Sequence, residues 1–113
     1  MPQVVLHRSI MDDVRRGLGP GADRVELVSV DEKGAGADLA QAEACIRWDL
    51  DDDGLRTLLD EAPNLRWLHS AGAGVESFPL TELTSRNITL TNAAGIFAIP
   101  IAEWVLAIML TAV

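Results

Sequence analysis

The sequence predicts an α/β domain built on one five-stranded parallel sheet, in the strand order 2-1-3-4-5, with helices on both faces. Three observations carry this. Short β-rich apolar runs alternate with stretches of helical periodicity, the signature of parallel strands joined by crossovers. The length of 113 residues corresponds to one domain and allows a real core. A content of 49% hydrophobic and 23% charged residues belongs to a globular chain rather than a disordered one.

The first strand is expected at Gln3–Leu6, leading into a helix that Ser9 caps and that runs through Met11, Val14 and Leu18. Gly17 and the Gly19-Pro20-Gly21 run stop it. The second strand is Arg24–Val30, followed by a charged, glycine-containing loop over Asp31–Ala37 and a short helix around Asp38–Glu43. The third strand is Ala44–Trp48. The aspartates at 49, 51, 52 and 53 then open a helix over Gly54–Glu61, because carboxylates at that end favour the helix dipole and cap free N–H groups. The fourth strand is Leu65–His69, a helical turn spans Val75–Phe78, a helix Pro79–Asn87, and the fifth strand is Ile88–Thr91. A last helix covers Ala98–Val113, with Pro100 in its first turn. Right-handed crossovers give this order helices on both sides, the flavodoxin-like arrangement.

The charge of −8 repels phosphate backbones and argues against nucleic acid as a partner. The lone cysteine, Cys45, lies between apolar neighbours and is expected to be a buried hydrophobe in a reducing compartment. With no signal peptide in the first residues, a cytoplasmic location is the default. The 98–113 helix falls short of the ~20 residues that cross a bilayer, so no membrane role is expected. Its single charge, Glu103, makes it apolar nearly all round, which predicts an apolar patch and a homodimer formed by exchange of this helix.

In an open parallel sheet ligands gather at the carboxyl ends of the strands. There the run Ser70-Ala71-Gly72-Ala73-Gly74 is the sharpest element. Small residues directly after a strand let backbone N–H groups face an anion unobstructed. A dinucleotide fingerprint it is not: Ser77 stands at the third glycine position, and no acid follows the next strand. Arg47, near the end of an otherwise apolar strand, either offers a guanidinium fork to a carboxylate or pairs with Asp49 or a neighbour. His7 and His69 sit at strand ends as polar rim or core residues. The aspartates after the third strand lack the turn glycine and closing Glu of a calcium loop, so no metal is expected.

From Pro63 onward the sequence resembles a known family. Pro63-Asn64-Leu65-Arg66-Trp67-Leu68-His69-Ser70-Ala71-Gly72-Ala73-Gly74-Val75-Glu76, then Ile88-Thr89-Leu90-Thr91-Asn92-Ala93-Ala94-Gly95 and Pro100-Ile101-Ala102-Glu103-Trp104-Val105-Leu106, are similar to D-isomer-specific 2-hydroxyacid dehydrogenases. The resemblance implies the amino-terminal, flavodoxin-like substrate domain, cut before the Rossmann domain that binds NAD or NADP, with 98–113 beginning the inter-domain helix. It implies Ala71, Gly72 and Ala73 as backbone donors to the carboxylate of a small 2-oxo or 2-hydroxy acid. It also implies Arg47 as a substrate contact, and Ala73, Phe97 and Ile101 beside the cofactor. Phe97 and Trp104 stand where many members carry Asn and His, which points toward the glyoxylate/hydroxypyruvate reductase-like branch. The family's catalytic Arg, Glu and His lie in the second domain. No catalytic residue is therefore expected here, no tight cofactor binding, and no activity from this piece alone.

A stand-alone flavodoxin-like binding or dimerisation module is the alternative. A receiver domain needs acids after the first strand, where His7-Arg8 stands, and a flavin site needs a Ser/Thr-rich loop there, which is missing.

Overall fold

The computed structural model describes residues 1–72, 74, 76–94 and 98–111. Five strands, β1 (Gln3–His7), β2 (Glu26–Val30), β3 (Ala42–Arg47), β4 (Trp67–Ser70) and β5 (Thr89–Thr91), alternate with helices α1 (Met11–Leu18), α2 (Asp52–Glu61), α3 (Leu80–Ser85) and α4 (Ala98–Thr111). The sheet is parallel throughout and ordered β2-β1-β3-β4-β5, as the alternating pattern predicts.

Successive strand residues face opposite sides, and both sides of this sheet carry apolar rows. On one side Val5, Cys45 and Leu68, partners across three strands, enter the main core with Leu55, Leu58 and Leu59 of α2. On the other, Leu27, Val4, Ala44 and Trp67 form the corresponding row. There Val14 and Leu18 of α1 lean over an apolar cavity of about 280 Å³. No residue of α1 is buried, so the two faces are covered unequally.

Two local expectations are corrected. No helix forms over Asp38–Glu43: the Asp38 carboxylate accepts the Ala40 N–H at 3.0 Å, Leu39 buries its side chain, and β3 already begins at Ala42. An Asp side chain that binds the backbone two residues on holds a turn against a helix. Ser9 does not cap α1, because it lies inside a 3-10 turn over Arg8–Ile10. That turn is capped instead by His7, whose Nδ1 accepts the Ser9 N–H at 3.1 Å. The 75–78 turn includes Val75, outside the described residues, as are positions 112 and 113 of the last helix.

Cys45 is buried, and desolvation pushes its thiol up to about 12. Below pH 9 the thiol is neutral whether folded or unfolded. Above that the unfolded thiol ionises first, so stability is expected to fall as pH rises from about 9 toward 12. Urea titrations across that range, with Cys45→Ala losing this part of the slope, check it.

α4 exposes its apolar side chains, with Trp104 65% and Leu110 74% accessible, and the molecule extends 58 × 35 × 22 Å. Among the described residues no helix is long and apolar enough to cross a membrane.

Candidate functional site

The carboxyl ends of β3 and β4 meet at a cavity of about 360 Å³, lined by Arg47 to Leu50, by Ser70 to Gly72, and by Gly74, Ser77 and Phe78. Parallel pairing brings Arg47 level with Ser70, so two segments twenty-three positions apart in sequence share one rim.

Arg47 is held on several sides. Its Nε donates to the Leu50 carbonyl at 3.0 Å, Nη1 to Ser77 Oγ at 3.0 Å, and Nη2 to the Asp52 carboxylate at 3.0 Å. The guanidinium lies 4.8 Å from the centre of the Phe78 ring, a cation–π contact. Its side chain is 12% exposed while that of Asp52 is 84% exposed. Both readings of Arg47 therefore meet here: it lines the cavity, and it is also paired, with Asp52 rather than Asp49. Ser77, Phe78 and Asp52 were not legible as its partners. The only hint is a hydroxyl and an aromatic shortly after the small-residue run.

The small-residue bend is more committed than its composition suggests. β4 extends to Ser70, one residue past the expected end, and the Ala71 N–H continues the ladder by donating to the Arg47 carbonyl at 3.2 Å. Ala71 thus contributes wall to the cavity, and its amide is engaged in the sheet. The Gly72 N–H meets Ser70 Oγ at 3.3 Å, and the same hydroxyl donates to the Gly72 carbonyl at 3.3 Å. Both are long beside the usual 2.9–3.0 Å. The Gly72 carbonyl also accepts the Ala93 N–H at 3.0 Å, tying this bend to the segment after β5. Ala73 and Phe97 lie outside the described residues. Ile101, on α4, is 58% exposed.

The other candidates resolve into structure. Asp51 caps α2, accepting the Gly54 N–H at 2.7 Å, and Lys33 bridges Asp51 at 2.6 Å and Asp53 at 3.3 Å. Lys33 foremost, then the Gly54 N–H, holds the Asp51 carboxyl below the usual range. His69 Nδ1 lies 2.7 Å from Thr91 Oγ1, which also accepts the Trp67 indole N–H at 2.8 Å. His7 lies 2.7 Å from Ser9 Oγ and 3.7 Å from Glu32. The backbone N–H of Ser9 also points at that His7 nitrogen, the geometry of a cap rather than of a poised base.

A dinucleotide needs a glycine cradle for its pyrophosphate. The described residues do not fit one: the cavity's glycine bend is closed by Ser70 and Ala93, and Ile101 offers apolar surface alone.

Sheet order and cavity position together define a flavodoxin-like α/β domain with a cavity at the carboxyl ends of its strands. The sequence profile of the D-isomer specific 2-hydroxyacid dehydrogenase catalytic domain matches residues 8–107, and the chain belongs to that family. Among solved structures it is similar to the NADPH-dependent glyoxylate/hydroxypyruvate reductase of Sinorhizobium meliloti. The form with NADP and malonate aligns at a TM-score of 0.65 and 19% identity, covering 96% of this chain and 33% of that one. The form with citrate aligns at 0.67 and 20%, covering 96% and 34%. Phosphoglycerate dehydrogenase of Lactobacillus plantarum aligns at 0.57 and 24% identity, covering 98% and 35%. The chain thus spans about a third of the length of these proteins, and the likeness is one of fold. No curated protein matches the sequence.

Proposed function

We propose that this chain is the substrate-holding domain of an NAD(P)-dependent D-2-hydroxyacid dehydrogenase, working beside a Rossmann domain that this stretch does not include. One observation supports this most: a mostly buried arginine and the loosely held Gly72 amide share one cavity at the carboxyl ends of adjacent parallel strands. A nicotinamide held by that second domain would supply hydride chemistry at C2 of a small 2-oxo or 2-hydroxy acid. The residues here hold the acid. The Gly72 N–H, with that of Ala73, takes the carboxylate as Ser70 Oγ turns aside, while Arg47 supplies charge from the β3 side. Ala73, Phe97 and Ile101 keep the cofactor-side roles that the family resemblance implies. Holding the acid in one orientation is this domain's contribution to rate.

We further propose that the domain works in the cytoplasm as a homodimer, with α4 exchanged or packed between subunits. The exposed apolar α4 supports this, since patches of that kind mark interfaces. Sedimentation at micromolar concentration is expected to give a dimer, and a clean monomer would remove this part.

Titration of the chain with glycolate, followed by amide NMR, is expected to give saturable shifts at Gly72 and at Arg47 Nε. The chain alone is expected to show no NADH-dependent reduction of glyoxylate or hydroxypyruvate. Measurable turnover, or shifts confined to other surfaces, would refute the assignment.

A further inference from the structure

We infer that Asp49 and Asp52 make this cavity selective for 2-oxo and 2-hydroxy acids carrying a single negative charge, against phosphorylated or dicarboxylic ones. The inference rests on reading the cavity as the site of the substrate carboxylate.

Among the described residues lining the cavity, the ionisable ones are Arg47 and Asp49. Arg47 is already matched: the Asp52 carboxylate sits 3.0 Å from Nη2, and Asp52 lines a second cavity that shares Ser77 with this one. One substrate carboxylate can still be accommodated, because the Gly72 N–H and the guanidinium donate hydrogen bonds to an anion without needing an unpaired charge. A second anionic group on the same small molecule meets Asp49 and finds no unmatched cation within the cavity. Like charges brought into one small cavity repel. The favoured class therefore has a neutral substituent next to the reacting carbon: hydrogen, methyl or hydroxymethyl.

Both aspartates are fixed rather than incidental. Asp49 has φ of 54°, a left-handed conformation that Asp and Asn tolerate better than most residues. Asp52 occupies the first turn of α2, where the helix dipole favours a carboxylate. Asparagine keeps the shape of each and removes only the charge. Because Asp52 is 84% exposed, its substitution leaves the core untouched.

The test is a matched pair of acids, glycolate and tartronate, which differ by one carboxylate. Each is titrated into the full chain at constant ionic strength, with Gly72 and Arg47 Nε shifts as the readout. The parent chain is expected to bind glycolate more tightly. Asp52→Asn and Asp49→Asn are each expected to move the ratio of the two Kd values toward tartronate by about five-fold, since the second carboxylate feels the lost charge in addition. A ratio unmoved by both substitutions, with saturable shifts still present, overturns this inference and leaves the site reading intact. Movement with one substitution alone assigns the selectivity to that aspartate and removes the other from it. If neither acid shifts Gly72 or Arg47 in any variant, the site reading itself falls, and the inference falls with it.

Discussion

Replacing Gly54 by alanine is expected to destabilise the fold by about 2 kcal/mol, although intrinsic helix propensity alone favours alanine over glycine by about 1 kcal/mol. Gly54 is a buried residue in the first turn of α2. A methyl group there would run into the Glu32 carbonyl oxygen and come within 2.6 Å of Leu50 Cδ1. Neither neighbour can yield cheaply. The Glu32 carbonyl accepts the Asp51 N–H at 3.0 Å, and Leu50 is buried in the connection between β3 and α2. Gly34, with φ of 77°, already packs its own bend against the Gly54 carbonyl, so the β2–β3 loop and the start of α2 would have to separate. Gly17 in α1 supplies the contrast. A methyl there meets nothing within 4 Å, and Gly17→Ala should be neutral or stabilising by a few tenths of a kcal/mol. Urea midpoints at constant m-value check both signs.

Arg47→Leu is the second large effect, and it should appear in both stability and binding. The substitution removes a donor from the Leu50 carbonyl, from Ser77 Oγ and from Asp52, together with the cation over Phe78. Leaving the part-buried Leu50 carbonyl without a partner costs about 1–2 kcal/mol, the exposed Ser77 and Asp52 contacts adding little. Saturable glycolate shifts at Gly72 should vanish with it. Arg47→Lys is expected to recover some stability and little binding, because one ammonium cannot reach in three directions as the planar fork does. If Arg47→Leu folded with an unchanged midpoint, the network would be decoration.

How much of this was legible in the sequence differs by level. Strand positions and order were, because the runs around Val5, Val28, Cys45 and Leu68 are short, apolar and separated by crossovers, and parallel topology admits few alternatives. That the aspartate cluster caps α2 was also legible, since aspartates before a helical run have one strongly preferred use, but the expected start at Gly54 did not single out Asp51. Site detail was not. Whether the Ala71 amide faces a ligand or the sheet turns on a single residue of β4 length, and the apolar pattern around His69-Ser70 does not fix that end. The partners of Arg47 arrive from Ser77 and Phe78, thirty positions on, along a loop path that spacing does not encode. His7 displaced Ser9 as a cap because a histidine nitrogen can accept the same hydrogen bond, an option the usual capping preferences leave out.

Gly72 is held through its carbonyl, by Ala93 and by the Ser70 hydroxyl, and only lightly engaged through its N–H. An incoming acid would trade places with one hydroxyl, at an amide flanked by two anchors, the Ala71 N–H on Arg47 and the Gly72 carbonyl under Ala93. Such a preset orientation spares the encounter most of the ordering entropy that a pliable bend would surrender. It also means that loosening the far anchor at Ala93 should be felt first as a slackening of grip, before any change in the shape of the cleft.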